Sequence, residues 1–171
     1  MTTNINIPEL IDQLADRLSQ VIADRKLINP LLIGIRTGGV WVAERLHERL
    51  QIKEPLGLLD ISFYRDDFSQ IGMHPKVKPS LLPPQLEGRD IILVDDVFYT
   101  GRTIRAALNE IFDYGLPNQV VIAVLIERDG RQIPMMPDCV GIKITLDPGQ
   151  RIKLTGPAPL GVHVEHVKGA A

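Results

Sequence analysis

Two adjacent carboxylates and a small, hydroxyl-rich turn just after them are the residues of this chain best suited to chemistry. They stand in IILVDDVFYTGRTIRAAL, residues 91 to 108, where Asp95 and Asp96 follow four apolar residues and Tyr99-Thr100-Gly101-Arg102-Thr103 opens a helical pattern. Neighbouring carboxylates are costly unless something positive or polyhydroxylated lies between them. A sugar diol carrying Mg²⁺ meets both needs, because carboxylates accept from hydroxyls and Mg²⁺ takes oxygen ligands while keeping its waters. The unpaired N–H groups and positive dipole end of the helix that follows suit an anion. Thr100 and Thr103 add hydroxyl donors, and Gly101 lets the backbone come close. By itself DD reads as a solvated loop start and Thr103 as an N-cap. Joined to an apolar run, TGRT and a helix, the pair asks for a phosphorylated sugar.

Elements on either side must hold these groups in place. Leu10, Ile11, Leu14, Leu18, Val21 and Ile22 recur at helical spacing, which predicts an amphipathic helix over residues 8 to 25, with Pro8 near its start. LLIGI after Asn29-Pro30 reads as a buried strand, RTGG as a loop, and Val42, Ala43, Leu46 and Leu50 as the apolar side of a second helix. GLLDISFY predicts a further strand, and residues 65 to 90 a long Pro-rich connection of the kind that is usually functional or disordered. IILV is the next strand. Ile104, Leu108, Ile111 and Phe112 mark a helix ended by Gly115 and Pro117. VVIAVLIE then reads as a nearly uninterrupted apolar strand. Such runs joined by helices are what a parallel sheet covered on both faces requires. VGIKITL and the residues after Pro148 are expected to give one or two short edge strands, with GPAPLG as a turn. Ligands of such a sheet bind outside the carboxyl ends of its strands, where IILV delivers Asp95 and Asp96.

Composition narrows the chemistry further. A chain of 171 residues with 44% apolar and 23% charged content predicts one domain, residues 1–171, with a full core. Its apolar runs are too short for a membrane span, and MTTNINIPELID lacks the basic and apolar pattern of a signal peptide, so a cytoplasmic location is expected. The single cysteine, Cys139, reads as an inert packed thiol. His47, His74, His163 and His166 are scattered and build no metal-ligating motif. A net charge of −2 argues against a globally basic nucleic-acid binder while leaving room for a local basic face. GxxxxGK[ST] is absent, and no GxGxxG follows a strand.

VDDVFYTGRT resembles the phosphoribosyl-pyrophosphate signature, here Ile91 to Thr103, of type I phosphoribosyltransferases. GIRTGGVWVAERL, DISFYRDDFS, ILVDDVFYTGRTIRAAL and AVLIERDGRQIP, in this order and spacing, are similar to the bacterial pyrimidine operon regulators that double as uracil phosphoribosyltransferases. The similarity runs roughly from residue 30 to residue 142. It implies an α/β fold of the type I phosphoribosyltransferase kind: a central, mostly parallel sheet flanked by helices, with a flexible hood loop. It also implies a reaction of uracil with phosphoribosyl pyrophosphate to give UMP and pyrophosphate, with Mg²⁺ as cofactor and a homodimer or larger homo-oligomer as the assembly.

Carried onto this sequence, the resemblance assigns Asp95 and Asp96 to the ribose hydroxyls and, indirectly through bound substrate and water, to the metal. Tyr99, Thr100, Gly101, Arg102 and Thr103 would hold the 5-phosphate, and Val94, Val97 and Phe98 fall inside the same substrate-binding signature. Arg36, Thr37 and Gly38 would form the pyrophosphate loop, often the place of a strained peptide bond in the superfamily. Arg65 and the segment from Asp66 to Ser80, with Lys76 and Lys78, would form the hood. Arg36, Thr37, Arg65, Asp95 and Asp96 are thus the expected catalytic set. Purine-salvage relatives carry a carboxylate where this chain has Tyr99, and that departure favours a pyrimidine.

The chain also departs from the better-known regulators. It has TGG where they carry TRG, Met135-Met136 where they have a basic residue, and TLDPGQ where they have a TS-containing polar segment. RNA affinity comes largely from Lys and Arg on phosphates. The candidate contacts here are Arg17, Arg25, Lys26, Arg131, Lys143, Arg151 and Lys153, with Arg131 in the GRQIP segment foremost. Three readings therefore stand: a uracil phosphoribosyltransferase that also attenuates transcription by binding operon leader RNA in response to UMP, a nucleotide-sensing RNA-binding regulator with little turnover, and a phosphoribosyltransferase for another base.

Overall fold

The computed structural model describes residues 4–61 and 80–168. Helix α1 spans Ile7–Asp24, close to the expected 8 to 25, and the Asn6 side chain caps it by accepting from the Glu9 N–H at 3.3 Å. Its buried residues, Ile7, Leu10, Ile11, Leu14, Ala15 and Leu18, follow the period of one helical face. Strand β1, Leu31–Ile35, is buried along its whole length and leads directly into α2, Gly38–Arg49.

Strand β2, Gly57–Leu59, is shorter than the strand expected from GLLDISFY. Ile61 is still buried, but residues 62–64 lie outside the described residues. So do Arg65, Lys76, Lys78 and the rest of the expected hood except Ser80, whose Oγ accepts from the Asp60 N–H at 3.0 Å.

Strand β3, Asp90–Phe98, is followed by α3, Arg102–Tyr114, and β4, Gln119–Arg128. β3 outruns the predicted IILV because its parallel pairing with β4 continues through Val97 opposite Ile126 and Phe98 opposite Glu127. The paired carboxylates therefore sit within the carboxyl-terminal part of a strand.

The residues after β4 settle the C-terminal layout. β5, Cys139–Ile144, joins β4 in parallel as an edge strand, as expected of VGIKITL. β6, Gln150–Thr155, and β7, Gly161–His166, pair only with each other, antiparallel, across the GPAPLG turn. This hairpin is not a sheet edge. It buries Ile152 and Leu154 in the same core as α1 and α2.

The five parallel strands run in the order β2-β1-β3-β4-β5. α1, α2 and the hairpin cover one face, and α3 covers the other, with Ile104, Ala106, Ala107 and Ile111 packed on Ile33, Leu93 and Val124. Nearly continuous apolar strands are the consequence of this double cover, as the parallel-sheet expectation required. Successive connections leave β1 in opposite directions along the sheet, to β2 on one side and to β3, β4 and β5 on the other. The switch point therefore falls between β1 and β3, and a crevice opens there beyond their carboxyl ends. At the other end of β3, Asp90 ties the sheet together by accepting from the Ile28 N–H at 2.8 Å and the Asn118 amide at 2.7 Å. No helix among the described residues is long and apolar enough to cross a membrane.

Candidate active site at the switch point of the sheet

β1 stops pairing with β3 at Gly34 opposite Val94, so the next residues of β3, Asp95 and Asp96, have lost a strand neighbour on that side. The N-terminus of α2 fills the space. A Cβ on Gly39 would come within 2.8 Å of the Val94 carbonyl and 3.2 Å of Asp95 Oδ1, and a Cβ on Gly38 would overlap the Asp96 carboxylate. The two glycines of RTGG are thus what lets a helix start lie directly against two acids. That contact answers how the acids are tolerated, since a helix N-terminus carries partial positive charge.

Asp95 and Asp96 are not equivalent. Asp95 is 1% exposed, and its Oδ1 accepts from the Asp96 N–H at 2.9 Å. Asp96 is half-buried; its Oδ1 accepts from the Val97 N–H at 2.8 Å, and its side chain lines an open cavity. Asp96 and Val97 both face that cavity, so β3 departs from strict alternation where it meets the site.

The cavity measures about 500 Å³ and is walled by Thr37, Gly38 and Trp41 on one side, Asp96 and Val97 at the floor, and Arg151 to Leu154 of β6 opposite. Thr37 is exposed, and the Arg36–Thr37 peptide is cis. The Arg36 N–H donates to the Leu59 carbonyl at 2.9 Å, which ties this loop to β2. β6 held no place among the residues expected to bind substrate, since Arg151 and Lys153 were expected only as RNA contacts. Its contribution depends on the hairpin folding back over α2, where Arg45 Nη2 donates to the Pro157 carbonyl at 2.6 Å and Gly156 abuts Trp41.

The second loop of the crevice is Tyr99 to Gly101. Gly101 takes φ +96 as the N-cap of α3, a conformation that favours glycine, and its carbonyl accepts from the Arg105 N–H at 3.0 Å. Thr100 is buried, and its Oγ1 accepts from the Arg102 N–H at 3.2 Å. Thr103 is half-buried in the first turn of α3. Val94 and Phe98 are core residues on opposite faces of β3 and support the site from within.

The GRQIP segment lies under this loop. Gln132 and Ile133 donate their N–H groups to the Thr100 carbonyl at 3.0 and 3.3 Å, and Arg102 Nη1 donates to Gln132 Oε1. The Arg128 guanidinium stacks 4.0 Å above the Tyr99 ring. Arg131 is exposed and makes no ion pair or side-chain hydrogen bond among the described residues. Several other candidate RNA contacts are engaged: Arg17 on the Val140 and Gly141 carbonyls, Arg25 on Asp138, Lys143 on Glu127 and Arg151 on Glu165. The Arg151 guanidinium also holds the Glu165 carboxyl below its ordinary range.

The described residues contain no cluster of three or more His, Cys, Asp or Glu able to hold a metal ion. Two carboxylates and nearby hydroxyls form an all-oxygen donor set, which fits a Mg²⁺ ion that arrives on a phosphorylated ligand and keeps its waters better than it fits a protein-caged metal.

Comparison with known proteins agrees with this geometry. The family profile described as the phosphoribosyl transferase domain matches residues 1–152. The chain is 53% identical over 166 residues to the bifunctional protein PyrR of Nitrosococcus oceani, covering 96% of this chain and 94% of that protein. It is 48% identical over 166 residues to the protein of the same name from Pseudomonas aeruginosa, covering 97% and 98%. Among solved structures, a hypoxanthine-guanine phosphoribosyltransferase from Bacillus anthracis superposes with a TM-score of 0.68 at 18% identity, covering 89% of this chain and 86% of that one. A purine phosphoribosyltransferase from Pyrococcus horikoshii superposes with a TM-score of 0.59 at 25% identity, covering 81% and 80%.

Proposed function

Because this chain belongs to the phosphoribosyl transferase domain family, we propose that it is a uracil phosphoribosyltransferase of the pyrimidine operon regulator type. The substrate's C1–oxygen bond to pyrophosphate breaks, the bond from C1 to uracil N1 forms, and the N1 proton is released. The observation that carries this reading is the cavity at the switch point, where Asp96 faces Thr37 and Gly38 at the end of the strand that leads into the glycine turn opening α3.

Each residue then has a task. Asp95 and Asp96 hold the ribose hydroxyls, and the backbone and hydroxyls from Tyr99 to Thr103 hold the 5-phosphate at the start of α3. Arg36, Thr37 and Gly38 receive the pyrophosphate, and Arg65 is assigned to the same catalytic set. Glycosyl displacement of this kind passes through an oxocarbenium-like state, so the protein's work is to position the two reactants, receive the leaving anion and exclude water. Asp95 and Asp96 would hold a Mg²⁺ ion indirectly, through bound substrate and water, and the ion would supply charge neutralisation for the leaving group. Tyr99 in place of a carboxylate supports a pyrimidine over a purine. The reading takes residues 1–171 as one domain, places the reaction in the cytoplasm and expects a homodimer or larger assembly.

Turnover of uracil and phosphoribosyl pyrophosphate by purified protein, followed as UMP formed and pyrophosphate released, tests the assignment directly. UMP in equal yield with pyrophosphate is expected. No product from uracil, with turnover of hypoxanthine, guanine or orotate instead, would overturn it.

The regulatory half of the reading is UMP-dependent binding of pyrimidine operon leader RNA. The observation in its favour is Arg131, exposed and unpaired among the described residues on a segment hydrogen-bonded to the 5-phosphate loop. Arg131→Ala should weaken leader binding and lower the log–log salt slope by about 0.7 to 0.9, with UMP affinity nearly unchanged. Equal affinity of wild-type protein for leader and unrelated RNA, with UMP present, would leave only the enzymatic half.

A further inference from the structure

Arg128 was not among the residues the sequence singled out, yet it contacts both the loop that opens α3 and the first residue of β6. At the carboxyl end of β4, its guanidinium lies 4.0 Å from the centroid of the Tyr99 ring, at the start of the phosphate loop. The same group donates through Nη1 to the Gln150 carbonyl at 3.1 Å. Gln150 opens β6, whose next four residues, Arg151 to Leu154, are the cavity wall opposite Thr37 and Gly38. One side chain thus spans the phosphate loop and the hairpin.

Tyr99 is held from more than one direction. Gly130, at φ +119, leaves no room for a Cβ because the Tyr99 ring edge occupies that space. Arg128 itself accepts a cost at this post: its Nε is buried without a hydrogen-bond partner. An arginine can present a flat face to an aromatic ring while an edge N–H donates elsewhere, whereas a lysine ammonium must choose between the two.

We infer that Arg128 is a positioning residue for phosphoribosyl transfer: by stacking on Tyr99 and holding Gln150, it fixes the distance between the loop that grips the 5-phosphate and the β6 wall of the reaction cavity. This inference rests on the enzymatic reading above. Misplacement of reacting atoms by about 1 Å can cost about a hundredfold in rate even when the change lies away from the chemistry. The loop keeps its other supports when Arg128 is altered, since Gln132 and Ile133 still donate to the Thr100 carbonyl. Ground-state affinity for the phosphate end should therefore survive while the rate falls.

The test measures kcat for UMP formation and calorimetric Kd for UMP in wild type, Arg128→Lys, Tyr99→Leu and the double variant. Leu18→Ala, in the buried face of α1, serves as a control for general destabilisation. Arg128→Lys should lower kcat by about tenfold or more while the UMP Kd moves by less than about threefold. Its effect should shrink in the Tyr99→Leu background, because the stacking contact is already gone. Wild-type turnover with an unchanged kcat in Arg128→Lys, additive effects in the double variant, or an equal kcat loss in Leu18→Ala would each overturn the inference alone. Absence of wild-type turnover with uracil would overturn the enzymatic reading, and this inference with it.

Discussion

Gly38→Ala would drive a methyl group into the Asp96 carboxylate. Either the acid leaves the cavity or the N-terminus of α2 lifts, and both undo the site. Turnover should fall about a hundredfold, as expected for displaced reacting groups. Gly88→Ala is the useful contrast: it has φ +68 and open space around its Cβ position, so steady-state kinetics should be unchanged while stability drops by about 1 kcal/mol from backbone strain. The two carboxylates should also separate experimentally. Asp96→Asn should lose Mg²⁺-dependent affinity for phosphoribosyl pyrophosphate in a calorimetric titration, with little change in Tm. Asp95→Ala should lose affinity and also about 1–3 kcal/mol of stability, because it removes the acceptor of the Asp96 N–H in a buried place. Similar melting temperatures for Asp95→Ala and wild type would show that Asp95 serves the ligand alone.

At the scale of elements, the site depends on how closely they approach one another. A Cβ on Gly34 would come within 2.9 Å of both Ala43 Cβ and Val40 Cα, so β1 and α2 touch almost backbone to backbone. Gly141 does the same where β5, β4 and α1 meet: a Cβ there would collide with the Leu125 carbonyl and lie 3.1 Å from Leu10 Cγ. Gly141→Ala should therefore destabilise the fold by about 1–3 kcal/mol through overpacking, read as a lower urea midpoint at an unchanged slope. The motif-bearing strand and helix were legible from IILVDD and TGRT, since both signals are local. The strands after Pro148 and the GPAPLG turn were legible too, but the place of the hairpin β6–β7 was not, because QRIKLT and GVHVEH alternate in the manner of any half-buried strand and nothing in them names α2 as the surface they cover. Nor did the sequence reveal how far β3 extends, since pairing with β4, not the polarity of DD, decides where that strand stops.

At the scale of the whole molecule, the sheet is sealed by helices on both faces, and Cys139 lies inside that seal. Burial first, and the neighbouring Asp138 second, push its thiol up from 9.0 to about 11. Above pH 9 the unfolded chain releases a proton that the folded one keeps. This group's contribution to stability is thus complete below pH 9 and is lost as pH rises through 11. Iodoacetamide at pH 8 should accordingly modify the native protein far more slowly than the urea-unfolded chain. Equal rates would mean that the seal over β5 opens readily.

The sequence by itself determined the alternation of strands and helices, the doubly covered parallel sheet, the inert cysteine, and the segment that carries the paired acids and the glycine turn opening α3. All of these are written in neighbouring residues, as periodicity, apolar runs or a contiguous motif. The tertiary structure alone decided that the start of α2 rests against Asp95 and Asp96, that β6 forms the far wall of the cavity, and that Arg128 joins that wall to Tyr99. Those contacts join residues distant in the chain. They arise from the order of strands and the close approach of glycine-bearing backbones, which no local pattern encodes.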